Sequence, residues 1–304
     1  MNCADYILCT AAKDEAASIA SLIEDVVAQK QRPGLWVIVD DSSTDGTSAI
    51  VERYASRYSW IRLIRYGGER DKSLLMHISK VKSLAAGSAL GMAAAEGIAW
   101  SCIGILDADM SIDKDFYALM LSRLDEDASI GLIGAGILSR TDKGPVLEAA
   151  RPDLPGSATM LCRRTCFEQI GGVPDDMYPE DAIMLARAKL AGWKTERSTA
   201  ITAVQARGTG SKYGEARGYA LRGERIYYLR YPLAYLMIRA AYLTLKKGPH
   251  IALAFLFGYA RCWIRGARRL EDRKLIEYFS GQRFREVISH NLGPMLEKIR
   301  FRRP

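Results

Sequence analysis

Histidine is scarce in this chain of 304 residues. The three copies, His77, His250 and His290, have no spacing that suggests a shared metal or a catalytic triad. The six cysteines are scattered. Cys162 and Cys166 form the one close pair, and no histidine or second cysteine pair completes a zinc pattern. Buried free thiols in a reducing compartment are therefore expected. No uncharged apolar run reaches about 18 residues, so a simple membrane-spanning helix is not expected. The opening segment MNCADYILCT has no basic stretch and no cleavage site, so no signal peptide is expected. Internal repeats and low-complexity linkers are missing too. What is present is ordinary globular composition, 49% apolar and 26% charged, which excludes a disordered or collagen-like chain. The length suits one large α/β domain, or one domain with an appendage.

The net charge of +8 is unevenly spread. From Gln205 onward there are 21 basic and 7 acidic residues, against 22 and 28 before it. An acidic body with a basic tail points to an anionic partner for the tail: a membrane surface, phosphate or nucleic acid.

The first two hundred residues alternate strand and helix patterns. Tyr6 to Thr10 and Leu35 to Val39 predict buried strands, and Trp60 to Arg65, Cys102 to Leu106 and Ile130 to Ile137 predict further strands. Helical periodicity covers Ala16 to Lys30, Thr47 to Tyr58, Lys82 to Glu96, Asp115 to Asp127 and Ala182 to Ala191. Strands alternating with such helices predict a mostly parallel sheet with helices on both faces. After Gln205 the texture changes. Helices are expected over Arg217 to Leu229, Pro232 to Leu245 and Ile251 to Ile264, then a strongly basic one over Arg265 to Arg285.

In a doubly wound sheet, ligands bind at the carboxyl ends of the strands. Acidic residues stand at three such ends: Asp14-Glu15, Asp40-Asp41 and Asp107-Ala108-Asp109. Two carboxylates two residues apart can converge on one hard divalent cation, Mn²⁺ or Mg²⁺, that keeps positions open for substrate phosphates. The plainer alternative is a pair of solvated turn aspartates with Asp113 as a helix cap. In DDSSTDGT, Asp45 or Thr44 suits a helix cap. Asp40 and Asp41 need donors to accept from, such as a base N–H or a ribose hydroxyl. Glu180-Asp181 opens a helix, where it serves either as a cap or as a general base for an attacking hydroxyl. Gly131 to Gly136 lacks dinucleotide spacing and fits close strand packing instead, and GTGSK from Gly208 lacks the spacing of a phosphate-binding P-loop.

These motifs, in this order, resemble the family 2 glycosyltransferases of the GT-A fold. TAAKDE from Thr10 is similar to the family's opening, with Ala11 for Pro and Asp14 for Asn. WVIVDDSSTDGT from Trp36 is similar to its nucleotide-binding segment, with Ser42 where Gly is usual. ILDADMS from Ile105 resembles its D-x-D strand. FEQIGGV from Phe167, Pro179-Glu180-Asp181 and RAKLAGWK from Arg187 resemble its acceptor side. The resemblance covers about residues 5 to 210. It implies a Rossmann-like catalytic domain over 1–215 and a helical appendage over 216–304. It further implies that Thr10, Ala11, Ala12, Glu15 and Asp41 line the base and ribose of a nucleoside-diphosphate sugar. Lys82 and Arg207 then lie near the donor, Asp107 faces the ribose or metal, Asp109 holds the metal, and Asp181 is the base with Glu180 beside it. Transfer with inversion to a hydroxyl acceptor follows, in polysaccharide or lipid-linked glycan synthesis. A polyprenyl-phosphate sugar synthase is the alternative enzyme, and a basic nucleic-acid binder the non-enzymatic one.

In the C-terminal third, Tyr227, Tyr228, Tyr231, Tyr235 and Tyr242 recur at near-helical spacing among Leu, Ile and Arg, with Lys246, Lys247, Arg265, Arg268 and Arg269 on the flanks. This pattern suits an anionic bilayer interface. Ordinary packing helices or a homo-oligomer interface are the alternatives. No nucleic-acid-binding signature accompanies the basic residues. A looser similarity of this tail to family members that build lipid-linked glycans implies a protein peripheral to the cytoplasmic, inner face of the cell membrane.

Overall fold

The computed structural model describes residues 5–68, 71, 73–141, 144–148, 151–206 and 214–286. The chain divides into two compact units, Met1–Thr209 and Gly210–Pro304.

In the first unit the order is β1 (Tyr6–Ala12), α1 (Ile19–Val27), β2 (Leu35–Asp40), α2 (Thr47–Ala55), β3 (Ile61–Arg65), α3 (Leu74–Ala95), β4 (Cys102–Leu106), β5 (Met110–Ile112) and α4 (Phe116–Glu126). There follow β6 (Ile130–Thr141), β7 (Gly144–Leu147), β8 (Thr159–Arg163), α5 (Arg164–Gln169), α6 (Glu180–Leu190) and β9 (Lys194–Gln205). One sheet runs β3-β2-β1-β4-β8-β6-β9-β5, with β7 beside β6. The expected parallel pairing holds for β3-β2-β1-β4 and for β6 with β9. Antiparallel pairs join β4 to β8, β8 to β6, β9 to β5 and β6 to β7. Apolar runs reveal that a strand is buried, but its direction depends on the connection before it.

The parallel strands β1, β2 and β4 are buried on both faces. Tyr6, Leu8, Trp36 and Ile38 pack with α1, α2 and α4 on one side. Ile7, Cys9, Val37 and Val39 pack with α3, α5 and α6 on the other. Helix α3 begins at Leu74, well before the expected Lys82, with the Ser73 hydroxyl accepting from the Met76 N–H. Its buried stripe of Val81, Ala85, Ala89 and Ala93 recurs every four residues. These small side chains let the helix lie close to the sheet. Gly131, Gly134 and Gly136 of β6 meet the Trp193 ring, the Gly156 backbone and Leu147 where a Cβ would sit, so close packing explains them. Cys9, Cys102, Cys162, Cys166 and Cys262 are all free and buried, as the sequence suggested. Burial pushes the Cys9 thiol up to about 12.

The second unit contains α7 (Glu215–Tyr228), α8 (Leu233–Lys247), α9 (Pro249–Ile264), the short α10 (Arg273–Glu277) and a π-helical turn over Tyr278–Gln282. The expected continuous basic helix over Arg265 to Arg285 is broken. Gly266 takes a left-handed φ of 57°. The chain then folds back so that the buried Leu270 donates its N–H to the Tyr228 carbonyl. Asp272 caps the restart by accepting from the Leu275 N–H at 3.1 Å. The tyrosines are mostly inward-facing. Tyr227, Tyr228 and Tyr231 are buried, and Tyr231 stacks on Tyr235. Tyr242 alone of the five is exposed.

Helices α7 and α9 cross at backbone contact, with Gly223 and Gly258 facing carbonyls of the opposite helix. A Cβ at Gly258 would overlap the Ala220 carbonyl oxygen. Gly258→Ala is expected to cost about 1–3 kcal/mol through overpacking. Urea denaturation followed by far-ultraviolet circular dichroism measures this, and an unchanged midpoint contradicts the close crossing.

Candidate functional site

Strand β1 lies between β2 and β4, so successive connections leave it in opposite directions. In open α/β sheets such a reversal marks where nucleotides are held, at the carboxyl ends of the strands, which here are those of β1, β2 and β4. Ala12 pairs with Asp40 there, and the Asp41 N–H donates to the Ala12 carbonyl at 2.8 Å.

The loops after β1 and β2 are laced together. The N–H groups of Asp14, Glu15 and Ala16 donate to Ser43 Oγ, Thr47 Oγ1 and Asp45 Oδ2 at 2.8–2.9 Å. The Thr44 N–H returns a bond to Asp14 Oδ1 at 2.8 Å. Lys13 Nζ donates to the carbonyls of Asp41, at 2.7 Å, and Ser42. Asp14 and Ser42 adopt left-handed φ values of 50° and 53°. These are the positions where the family pattern carries Asn and Gly, residues that reach this conformation most readily. The strain is offset by Asp14's carboxylate bond to Thr44 and by the Ser42 hydroxyl, which donates to the Tyr66 carbonyl at 2.9 Å.

Asp40 and Asp41 have different tasks. Asp40 is buried, and its Oδ2 accepts from Ser48 Oγ at 2.7 Å and the Ser43 N–H at 3.2 Å, so it anchors the loop. Its Oδ1 is buried with no hydrogen-bond partner among the described residues. Asp41 turns to α3, with Oδ1 2.8 Å from His77 Nε2. The sequence offered no partner for His77. The pairing spans 36 positions and no local spacing encodes it.

Helix α3 also carries Lys82. Its Nζ lies 2.9 Å from Asp107 Oδ1 and 2.9 Å from Glu180 Oε1. Ser79 Oγ donates to the other Glu180 oxygen at 3.1 Å. Burial disfavours both charges, yet the mutual attraction outweighs it. The Lys82 ammonium is held well above its ordinary range and the Glu180 carboxyl below its own. Lys82, Asp107 and Glu180 therefore come together, and the sequence reading had not paired Glu180 with Lys82.

Asp109 accepts from Gln205 Nε2 at 3.3 Å, and its carbonyl accepts from the Ala206 N–H. Asp181 is half-buried in the first turn of α6, where its Oδ1 accepts from the Ala182 N–H at 2.7 Å. The Thr10 hydroxyl points into the core and accepts from Trp36 Nε1 at 3.0 Å, so only the Thr10 backbone can face a ligand. Ala12 is buried and Ala11 half-buried at the same strand end. Glu15 is buried, with Oε2 accepting from Ser18 at 3.2 Å. Asp113 does not cap α4. Asp115 precedes that helix and pairs with Lys30 at 2.6 Å. Arg207 and the GTGSK segment lie outside the described residues.

The donor set suits a shared cation rather than a closed metal site. Among the described residues no group of three or more His, Cys, Asp or Glu side chains is disposed as ligands. Asp107 and Asp109 are hard oxygen donors two residues apart, and Asp107 is partly exposed beside Lys82. A pair of this kind fits Mn²⁺ or Mg²⁺ whose remaining positions are taken by water and substrate phosphate.

Acidic loops thus stand at the switch point of a mixed α/β sheet. The particular family follows from comparison with known proteins. The model of glycosyl transferase family 2 matches residues 7–172, more than half of the chain, and the protein belongs to that family. A relative in Synechocystis sp., the beta-monoglucosyldiacylglycerol synthase, is 24% identical over 209 residues. That match takes in 62% of this chain but 40% of the relative, so the chain corresponds to less than half of that protein. The mannosyltransferase PcManGT of Pyrobaculum calidifontis, solved with GDP-Man and Mn²⁺, superposes with a TM-score of 0.55 at 18% identity, covering 86% of this chain and 76% of that one. The S. aureus TarS 1-349 structure with UDP-GlcNAc gives 0.52 at 15% identity, covering 73% and 65%. The fold is that of the GT-A glycosyltransferases.

Removing Lys82 leaves Glu180 buried beside Asp107 without a counter-charge. Lys82→Met is expected to lower unfolding free energy by about 3 kcal/mol at neutral pH. Because the folded Glu180 value is depressed, the pair stabilises above the ordinary value of 4.5 and its contribution is lost as pH falls through the lower folded value. The difference between parent and variant therefore shrinks on acidification. Denaturation midpoints across pH measure it, and a pH-independent difference contradicts the ion pair.

Proposed function

We propose that the protein transfers a sugar from a nucleoside-diphosphate sugar to a hydroxyl acceptor, with inversion, at a membrane surface. The observation that carries this reading is Lys82, which joins the D-x-D strand end to the Glu180-Asp181 turn. Donor and acceptor chemistry are thereby brought to one place.

The backbone of Thr10, Ala11 and Ala12, together with Glu15 and Asp41, lines the nucleoside. Asp107 and Asp109 hold Mn²⁺ or Mg²⁺, which neutralises charge on the leaving diphosphate when bound. Lys82 and Arg207 add fixed positive charge near the same phosphates. Asp181 takes the proton of the acceptor hydroxyl as its oxygen attacks the anomeric carbon. The bond from that carbon to the diphosphate oxygen breaks, and its electron pair leaves with the nucleoside diphosphate. Attack opposite the leaving group inverts the centre. Glu180, held by Lys82 and Ser79, fixes the turn that carries Asp181. Nucleotide sugars in the neighbours' structures support the donor class, and the glycolipid named by the Synechocystis relative supports a lipid-linked hydroxyl acceptor.

Membrane association rests on the second unit. No helix among the described residues is long and apolar enough to cross a membrane. Helix α8 buries Leu236, Ala240 and Leu243 yet exposes Leu233, Met237, Ile238, Tyr242 and Leu245. Helix α9 exposes Leu253, Phe257 and Ile264 along one stripe. Lys246, Lys247, Arg265 and Arg268 stand at the helix ends, complementary to anionic headgroups. This reading puts the protein on the cytoplasmic, inner face of the cell membrane.

Thermal-shift screening tests the donor reading. Nucleoside diphosphates with Mn²⁺ are expected to raise the melting midpoint, and Asp109→Ala to abolish the Mn²⁺-dependent part. Asp181→Asn is expected to lower turnover by about 10²–10⁴-fold. Near-normal turnover would instead indicate an already ionised phosphate acceptor. For the membrane, replacing Met237, Leu245 and Phe257 together by Asp is expected to remove co-sedimentation with anionic vesicles. Unchanged sedimentation removes this face from the assignment.

A further inference from the structure

His77 is buried, with 2% of its surface exposed, in the first turn of α3. Both ring nitrogens are engaged. Nδ1 lies 3.3 Å from the Asp71 N–H, which can only donate, so Nδ1 accepts. The proton therefore resides on Nε2, which donates to Asp41 Oδ1 at 2.8 Å. The Tyr66 ring closes another side edge-on, with centroids 5.6 Å apart. Tyr66 also receives the Ser42 hydroxyl through its carbonyl, so the same residue braces both His77 and the loop that carries Asp41. An aliphatic side chain would fill this space without needing two polar partners. An imidazole here supplies direction.

The direction acts on Asp41. Its side chain is 14% exposed, and one oxygen is held by His77. Among the described residues, Oδ2 has no hydrogen-bond partner. A carboxylate pinned at one oxygen has its plane fixed and offers the other oxygen as a single, aimed acceptor.

We infer that His77 is a positioning residue for the donor site, holding Asp41 so that Oδ2 accepts from one N–H or O–H group of the nucleoside. The inference rests on the proposed role of Asp41 in donor binding. The ligand chemistry is a polar hydrogen on the nucleoside, carried either by a ring nitrogen of the base or by a ribose hydroxyl. His77 acts through Asp41 and touches neither the sugar nor the diphosphate.

The test uses the full chain and titration calorimetry with UDP, GDP, CDP and their 2′-deoxy and 3′-deoxy forms. His77→Phe keeps the ring volume and removes the donor. His77→Gln keeps an N–H of similar reach. For whichever nucleotide the parent binds most tightly, His77→Phe is expected to weaken binding at least tenfold and His77→Gln to restore it to within threefold. Steady-state rates should show the donor KM rising more than kcat falls. In an Asp41→Ala background, His77→Phe should add less than a twofold effect, because the two residues act as one unit. Loss of discrimination against CDP in His77→Phe assigns the contact to the base N–H, and loss of discrimination against deoxy forms assigns it to the ribose. The inference is overturned if His77→Phe binds nucleotide as the parent does. It is also overturned if His77→Gln is as weak as His77→Phe with the same drop in melting midpoint, since that is a structural role. If Asp41→Ala itself leaves nucleotide binding intact, the donor-site reading of Asp41 falls first.

Discussion

One buried ammonium organises this protein's candidate active site. Lys82 sits between Asp107 and Glu180, which come from a strand end and a helix start 73 positions apart in the chain. Each carboxylate is costly to desolvate beside the other, and the lysine between them makes the arrangement tolerable. Glu180 then fixes the first turn of α6, and with it the backbone from which Asp181 projects. The geometry available to any donor or acceptor depends on this three-way contact.

Helix α3 is the element that delivers it. Its inner face is lined with alanine, so the helix axis lies close to the sheet and a lysine of ordinary length spans the gap. The same helix brings His77 to Asp41 about one and a half turns earlier. One helix therefore reaches both the loop after β2 and the pair of carboxylates from β4 and α6. This division of labour also explains the neighbouring aspartates of β2. Asp40 is spent on tying the loop to Ser43 and Ser48, which frees Asp41 to face α3.

The motifs were legible because they are local. D-x-D, D-D-S-S-T-D-G-T and the E-D turn each hold their residues within a few positions, and strand-end placement follows from apolar runs that stop at charge. The loop strain was legible in part. Ser42 and Asp14 stand where Gly and Asn are usual, and both take left-handed backbone. Other features were hidden for physical reasons. The motif does not tell which way the Thr10 hydroxyl points, and strand alternation and the Trp36 indole turn it inward. The basic stretch after Ile264 reads as one helix by composition, yet Gly266 and the buried Leu270 break it. The C-terminal tyrosines suggested an interface, and most pack inward. The apolar residues left exposed on α8 and α9 are aliphatic ones together with Tyr242, Phe257 and Trp263.

The amino-acid order alone determined an α/β domain, the acidic strand ends and the basic, apolar tail. Those properties arise from periodicity and from neighbours in the chain. Tertiary structure decided the rest: the antiparallel strands β8 and β5, the bond from His77 to Asp41, the Gln205 amide on Asp109, and the bridge from Asp107 through Lys82 to Glu180. These contacts join residues tens of positions apart. Which distant side chains meet is set by how the layers pack.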